Sequence, residues 1–204
     1  MNINDIKKEF PIFDDKIQNN DLVYLDSANS SQKPKVVVDR IYDFYTKEFS
    51  NVGRSVHYLA VAATNLYEQT RVSVQKYINA KDKNEIVFTK GATEAINLIA
   101  NTFGQKYLSS GDEVLLTELE HHSNYVPWHF LRKAKNIKIE FAEMNEDGEV
   151  TLEAIERKIT SKTKIISVSH LSNVTGAILP IKEIVQLAHS KNIPVLIDGC
   201  QGSP

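Results

Sequence analysis

Polar residues stand at the ends of four predicted apolar strands, where they could bind a charged, planar ligand. These residues are Thr93, His121, Asn173 and Asp198. Open α/β sheets build their binding sites from loops beyond the carboxyl ends of the strands. We therefore expect the four side chains to converge on one pocket.

The segment Gly91-Ala92-Thr93 has the features of an anion-binding turn. A glycine turn followed by small residues at a helix start exposes backbone N–H groups, and the helix dipole favours negative charge there. The Thr93 hydroxyl adds one more donor. The alternative is an ordinary helix start, with Thr93 as the cap and Glu94 in the first turn.

The paired histidines His121 and His122 follow the next strand. A flat imidazole at a strand end could stack on a planar ring or move a proton. Adjacent histidines point apart, and neither cysteine ligands nor an HExxH spacing accompanies them, so no metal site is predicted. The alternative is a loop with two surface histidines.

Amide and carboxylate side chains follow the last two strands. Asn173 precedes Gly176 and could form an Asx turn instead of binding a ligand. Asp198 ends an apolar run, so its carboxylate is partly desolvated and requires a cationic partner such as a protonated pyridine nitrogen. Gln201 follows it closely, and the alternative for Asp198 is a helix cap.

One ligand would satisfy all of these groups. Its phosphate would bind the turn at Thr93, its flat ring would lie against His121, and its ring nitrogen would pair with Asp198. Its phenolic oxygen would face Asn173 and Gln201. That ligand is pyridoxal 5′-phosphate (PLP). A dinucleotide is disfavoured, because no GxGxxG follows the first predicted strand.

The elements that position these residues alternate between strands and helices. Strands are predicted at 22–25, 85–88, 113–116, 137–141, 164–169 and 194–197. Helices are predicted at 34–49, 58–78, 125–135, 152–159 and 181–190, with another after Gly91. Repeated βα units predict an α/β fold with a mixed, mostly parallel sheet and helices on both faces.

Composition excludes several classes of function. The 204 residues carry a net charge of −2 with scattered Lys and Arg, so no nucleic-acid partner is expected. The single cysteine, Cys200, excludes an internal disulfide and fits the cytoplasm. The polar start is neither a signal nor a transit peptide, and no apolar run is long enough to span a membrane.

Several stretches also resemble a known family. They are Tyr24-Leu25-Asp26-Ser27-Ala28, Ser31-Gln32-Lys33-Pro34, Phe88 to Leu98, Glu120-His121-His122-Ser123-Asn124-Tyr125-Val126-Pro127-Trp128, His170 to Gly176 and Asp198-Gly199-Cys200-Gln201-Gly202. The sequence resembles the class V aminotransferase group of fold-type I PLP enzymes, most closely the SufS-type cysteine desulfurases. The resemblance implies a PLP-binding large domain at 21–204, after an N-terminal segment at 1–20.

The resemblance also implies roles for single residues. Ala92 and Thr93 match donors to the cofactor phosphate, and His121 matches the histidine that stacks on the ring and shuttles protons. Asp198 matches the carboxylate on the pyridinium nitrogen. Asn173 and Gln201 match amides near O3′ and the substrate.

The implied reaction moves sulfur from L-cysteine to an enzyme persulfide and releases alanine, for iron–sulfur cluster assembly. The resemblance implies a homodimer in the full-length form and a sulfur-acceptor protein as partner. The family's Schiff-base lysine, acceptor cysteine and small domain are expected beyond Gln201, so the chain is expected to be a C-terminally truncated portion, inactive alone. Cys200 is not expected to be the acceptor.

The sequence departs from the family pattern at Gly53 and Ser55, in a loop that helps to form the dimer in relatives. Other functions therefore stay open. One is a non-catalytic PLP-binding or dimerisation fragment. Another is a selenocysteine lyase or a different class V relative, because residues that choose the substrate are expected after Pro204.

Overall fold

The computed structural model describes residues 2–203. By its contacts the chain divides into two compact units, Met1–Phe88 and Thr89–Pro204. The predicted boundary between residues 20 and 21 stays a prediction.

The first unit is mostly helical. Its helices are α1 (Ile3–Lys8), α2 (Lys35–Asp43) and α3 (Tyr58–Tyr77), with short 3-10 turns at Pro11–Asp14 and Lys83–Glu85 and a π-helical turn at Phe44–Glu48. Strands β1 (Lys16–Ile17) and β2 (Asn20–Asp21) form an antiparallel hairpin. The helices predicted at 34–49 and 58–78 are confirmed, because the π-helical turn continues α2 to Glu48.

Two predicted strands of the first unit are wrong. Residues 22–25 form no strand, and the hairpin lies just before them, turning through Gln18 and Asn19 at φ 52° and 66°. Residue 85 ends a 3-10 turn, and residues 86–88 follow it without forming a strand. Asp82 caps this turn by accepting from the Asn84 N–H at 2.7 Å. An apolar run forms a strand only where a neighbouring strand takes its N–H and C=O groups, and no such neighbour occurs among residues 2–203.

The second unit is a parallel α/β sheet. Its strands are β3 (Glu113–Thr117), β4 (Lys138–Ala142), β5 (Thr163–Ser169) and β6 (Val195–Asp198), in the order β4-β3-β5-β6. Its helices are α4 (Ala92–Ile99), α5 (Gln105–Tyr107), α6 (His122–Lys135), α7 (Leu152–Lys158) and α8 (Ile181–Ser190), and a π-helical turn at Ala100–Gly104 joins α4 to α5. All four strands and the helices predicted for this region are confirmed.

Helices cover both faces of this sheet. Val114 and Leu116 of β3 pack with Trp128 and Leu131 of α6 on one face. Leu115, between them, packs on the opposite face with the cluster that includes Ile155 of α7 and Ile184 of α8. Successive residues of a strand point to opposite faces, so β3, which is buried at every position, requires cover on both sides. The predicted architecture is therefore confirmed.

Because the four strands are parallel, their carboxyl ends meet at one edge of the sheet. The register pairs Ser169 at the end of β5 with Asp198 at the end of β6. The Thr117 end of β3 lies on the other side of β5. Loops after these strands therefore emerge side by side, where sites of open α/β sheets form. Among residues 2–203, no helix is long and apolar enough to cross a membrane.

Candidate functional site

The turn before α4 leaves a helix N-terminus open to an anion. Gly91 is the N-cap, with φ 157° and ψ 178°, a region that only glycine occupies readily. No side chain caps this helix, and Thr93 is exposed rather than capping. The Glu94 carboxylate instead accepts from the Lys90 N–H at 2.6 Å. The alternative in which Thr93 caps α4 is therefore wrong.

Ala92 at this helix start lines a cavity with Asp198. The cavity has a volume of about 400 Å³ and is hereafter the aspartate cavity. Its lining also includes Ala95, Ile96, Ile99, Leu196, Ile197, Gly199, Cys200 and Ser203. The structure thus places the positive end of a helix dipole and a carboxylate side chain on one cavity.

Asp198 is buried, with 8% of its surface exposed. Its Oδ1 accepts from the Cys200 N–H at 3.0 Å, and its carbonyl oxygen accepts from the His170 N–H at 2.9 Å. Oδ2 makes no hydrogen bond within the described part of the chain and can serve a ligand. A cationic ring nitrogen would compensate this desolvated charge.

His121 and Asn173 line a second cavity, of about 290 Å³, hereafter the histidine cavity. His121 caps α6: its Nδ1 accepts from the Ser123 N–H at 3.2 Å and lies 2.8 Å from Ser123 Oγ. A backbone N–H only donates, so Nδ1 is the unprotonated nitrogen in this arrangement and Nε2 carries the proton.

The turn that carries Asn173 is formed by its neighbour. Ser172 Oγ accepts from the N–H groups of Val174 and Thr175, each at 3.3 Å. The Asn173 amide is exposed and makes no hydrogen bond among the described residues. The Asx-turn alternative is therefore wrong, and the amide can contact a ligand.

The site residues thus fall into two pairs. Ala92 and Asp198 share one cavity, and His121 and Asn173 share the other. Thr93 and Gln201 line neither of these two, and Gln201 is half-buried in the turn after β6. The sequence predicted that Thr93, His121, Asn173 and Asp198 would line one pocket, and no cavity described here contains all four.

A network of hydrogen bonds is centred on Glu120, which also lines the histidine cavity. The Glu120 carboxylate accepts from Thr117 Oγ1 at 2.6 Å, Asn124 Nδ2 at 2.7 Å, Ser169 N at 3.0 Å and Ser169 Oγ at 2.7 Å. Burial raises the pKa of Glu120, and the hydrogen bonds from Thr117, Ser169 and Asn124 oppose that rise.

Sequence reasoning missed Glu120 and Asn124. Both lie in the segment that carries His121, where the resemblance drew attention to the imidazole alone. The available signal was an acid shortly after a buried strand, four residues before an amide in the first turn of the next helix. Within residues 2–203, no group of His, Cys, Asp and Glu side chains could hold a metal ion.

Comparison with known proteins identifies the family. The family model for class-V aminotransferases matches residues 23–204. The chain belongs to the class-V aminotransferase family. The resemblance deduced from the sequence is confirmed.

The curated relatives are about twice as long as this chain. The chain is 43% identical over 204 residues to a probable cysteine desulfurase of Halalkalibacterium halodurans, covering all of this chain and 50% of the relative. A probable cysteine desulfurase of Synechocystis is 42% identical over 98% of the chain and 47% of the relative. The chain therefore spans about half the length of the curated relatives it matches.

Solved structures support the same fold. The cysteine desulfurase CsdA of Escherichia coli superposes with a TM-score of 0.85 at 33% identity, over 100% of this chain and 50% of that one. The apo cysteine desulfurase of Thermococcus onnurineus gives 0.86 at 34% identity, over 95% and 46%. A C-DES variant with glycine covalently linked to its PLP cofactor gives 0.76 at 21% identity, over 97% and 50%, a likeness in fold alone. PLP, predicted from the sequence, is confirmed as a cofactor of this fold family.

Proposed function

We propose that this chain forms the N-terminal, cofactor-binding part of a PLP-dependent cysteine desulfurase. Such an enzyme moves sulfur from L-cysteine to an enzyme persulfide and leaves alanine. The observation that carries the proposal is the aspartate cavity, which pairs an uncapped helix N-terminus with a buried carboxylate. These two groups match in charge the phosphate and the protonated ring nitrogen of PLP.

The residues at the aspartate cavity would hold the two charged ends of the cofactor. The N–H groups at the start of α4 and the Thr93 hydroxyl bind the phosphate, and Asp198 holds the proton on the ring nitrogen. When bound, PLP supplies an electron sink that labilises the bonds of the amino-acid substrate. Asp198 sustains that capacity because a buried carboxylate keeps the ring nitrogen protonated.

The residues at the histidine cavity would act on the substrate side. His121 offers a proton on Nε2, because its Nδ1 accepts from the Ser123 N–H. Asn173 presents a free amide to the ring oxygen or the substrate, and Gln201 is proposed to contribute a second amide contact.

Further parts of the proposal concern the whole enzyme. The family's Schiff-base lysine and acceptor cysteine are proposed to lie in the half of the relatives' length that this chain does not span. We also propose a cytoplasmic homodimer that delivers sulfur to an acceptor protein for iron–sulfur cluster assembly. The 204-residue chain alone is expected to bind PLP noncovalently and to release no sulfide from cysteine.

The proposal is tested by titrating the chain with PLP and following its absorbance. Asp198→Asn should weaken PLP binding by about tenfold to a hundredfold, the range for a hydrogen bond to a charged group. The control, Asp15→Asn, removes the same charge from an exposed site in the first unit and should bind like the unmodified chain. Equal affinity in all three proteins would reject the cofactor assignment. Sulfide release by the unmodified chain would reject the expected inactivity.

A non-catalytic dimerisation module is the second candidate, favoured by apolar exposure in the first unit. Val23, Leu25 and Val56 are 72%, 90% and 95% exposed. Exposed apolar side chains in such number mark surfaces that associate. A discrete dimer in size-exclusion chromatography, without measurable PLP affinity, would favour this candidate over the desulfurase.

A further inference from the structure

The Glu120 carboxylate joins three elements at the carboxyl edge of the sheet. Its donors are Thr117 at the end of β3, Ser169 at the end of β5 and Asn124 in the first turn of α6. Both carboxylate oxygens are used, each by two donors. A single side chain therefore connects both strands to the helix that follows His121.

Two of the four donors, one on each carboxylate oxygen, cannot act as acceptors. The Ser169 backbone N–H only donates. The Asn124 amide has a fixed orientation, because its Oδ1 accepts from Trp128 Nε1 at 3.3 Å and from Ser167 Oγ at 2.6 Å. Asn124 Nδ2 must therefore donate to Glu120. A carboxylate accepts from all four donors, whereas a glutamine amide would set its NH2 group against the Ser169 N–H or the Asn124 NH2 group, a donor against a donor.

No cationic side chain pairs with Glu120 in the described part of the chain. None of the salt bridges in the described residues includes it. The carboxylate instead lies just before the first turn of α6, where the helix dipole favours an anion. The fully buried Asn124 completes its contacts.

His121 is held between this network and its own cap. Its backbone lies between Glu120, fixed to the two strands, and Ser123, whose N–H donates to Nδ1. The same imidazole lines the histidine cavity with Asn173. Movement of Glu120 would move the backbone of His121 and open the cap.

We propose that Glu120 is a positioning residue that fixes His121 in one tautomer, with the proton on Nε2 facing the histidine cavity. The structural part stands on the described contacts, and its consequence for the cofactor rests on the proposed function. Glu120 also lines the histidine cavity, but both of its carboxylate oxygens are already engaged by protein donors. It acts through His121.

The first test uses the chain without cofactor. Imidazole ¹⁵N spectra, assigned by the signals lost in His121→Asn, should show one His121 tautomer protonated on Nε2. Glu120→Gln should give a mixture of tautomers. The matched control is Glu113→Gln at the start of β3: Glu113 is buried at the amino end of that strand, and its carboxylate accepts from the Thr160 hydroxyl at 2.5 Å, which can donate equally well to a glutamine oxygen. An unchanged His121 spectrum in Glu120→Gln would overturn the proposal.

The second test measures PLP affinity in a double-mutant cycle. His121→Asn should weaken binding by roughly twofold to tenfold, the range for losing a ring-stacking contact. Glu120→Gln should weaken it by no more than that, and the double variant should match His121→Asn, because a residue acting through another adds nothing once that residue is gone. Additive losses would overturn the proposal.

A milder variant covers the case in which Glu120→Gln does not fold. Ser169→Ala removes one hydroxyl donor and keeps the backbone N–H. It should fold and show partial tautomer mixing, and a single unchanged tautomer would contradict the proposal. If the unmodified chain did not bind PLP, the proposed function would be rejected. The positioning role of Glu120 would still be tested, because the tautomer is measured without cofactor.

Discussion

The two ends of the candidate site are built differently. At the histidine junction (residues 117–124), side chains cross-link β3, β5 and α6, and Asn124 and Trp128 are fully buried. At the aspartate junction (residues 198–202), the Asp198 carboxylate accepts from the Cys200 N–H, two residues further along the chain. Strand β6 pairs with β5 alone among the described strands, and its Ile197 is 42% exposed.

This difference shows which half of the site is organised before a ligand binds. Groups held by several hydrogen bonds in a buried network keep their geometry in the free protein. The Asp198 carboxylate is held by a hydrogen bond within its own turn, so its order depends on what covers β6 and on the ligand itself. Changes at the histidine junction should therefore alter folding, and changes at the aspartate junction should alter binding.

The largest expected effect is at Asn124. Asn124→Ala leaves the Glu120 carboxylate, Trp128 Nε1 and Ser167 Oγ without a shared partner, which should lower the free energy of unfolding by roughly 3–5 kcal/mol. Urea denaturation followed by fluorescence of Trp128, the single tryptophan, measures it.

The control for that substitution is Asn101→Ala, at an exposed asparagine whose amide donates to the Asn97 carbonyl. It should change stability by about 0.5 kcal/mol or less. Equal losses in the two variants would mean that the network at the histidine junction contributes nothing beyond ordinary side-chain contacts.

The pH dependence of Glu120 should be the next largest effect. Its pKa in the folded chain is raised above the ordinary 4.5 because burial penalises the charge. Between these two pKa values the folded chain binds more protons than the unfolded chain, so the contribution of Glu120 to stability falls as pH rises. Urea denaturation from pH 4 upward, compared between the unmodified chain and Glu120→Gln, should show a stability difference that shrinks as pH rises. A difference that grows would contradict a raised pKa.

Asp198→Asn should have a small effect on folding. The asparagine oxygen can still accept from the Cys200 N–H, so the free energy of unfolding should change by about 1 kcal/mol or less. The same variant is expected to lose most of its PLP affinity. A loss of stability as large as that of Asn124→Ala would remove the distinction between the two junctions.

The smallest effect is expected at an exposed ion pair outside both junctions. Lys158 Nζ lies 2.6 Å from Glu143 Oε1, and the hydrogen bond to Lys158 lowers the pKa of Glu143. This pair contributes stability above pH 4.5, and the contribution is lost as pH falls, the opposite sign from Glu120. Glu143→Gln should flatten the acid side of the stability profile slightly, and 1 M NaCl should reproduce that change in the unmodified chain.

Sequence patterns were reliable where local and tertiary requirements agreed. The apolar runs at β3 and β5 became central strands because neighbours pair with both of their edges. The helix predicted at 181–190 matches α8. The equally apolar segments 22–25 and 85–88 did not form strands, because their backbone groups found no strand partner among the described residues.

The sequence predicted which residues line the site, but not the residues that hold them in place. His121 and Asn173 were predicted from strand-end chemistry, and they do share a cavity. Glu120 was passed over, because an acid in a loop is usually solvated. Its role depends on Ser169, which is 49 residues away in sequence. The division into two cavities was equally invisible to pattern reasoning.

By itself, the sequence determined the parallel α/β unit, the family and the residue types at the strand ends. Those features follow from hydrophobic periodicity and from short motifs, which are local properties of a chain. Only the tertiary structure decided that Glu120 is surrounded by donors and that Ala92 and Asp198 line one cavity. It also decided that Ser172, and not Asn173, accepts the hydrogen bonds of the turn after β5. Hydrogen bonds and cavities between distant segments depend on the order and register of the strands, which no local pattern encodes.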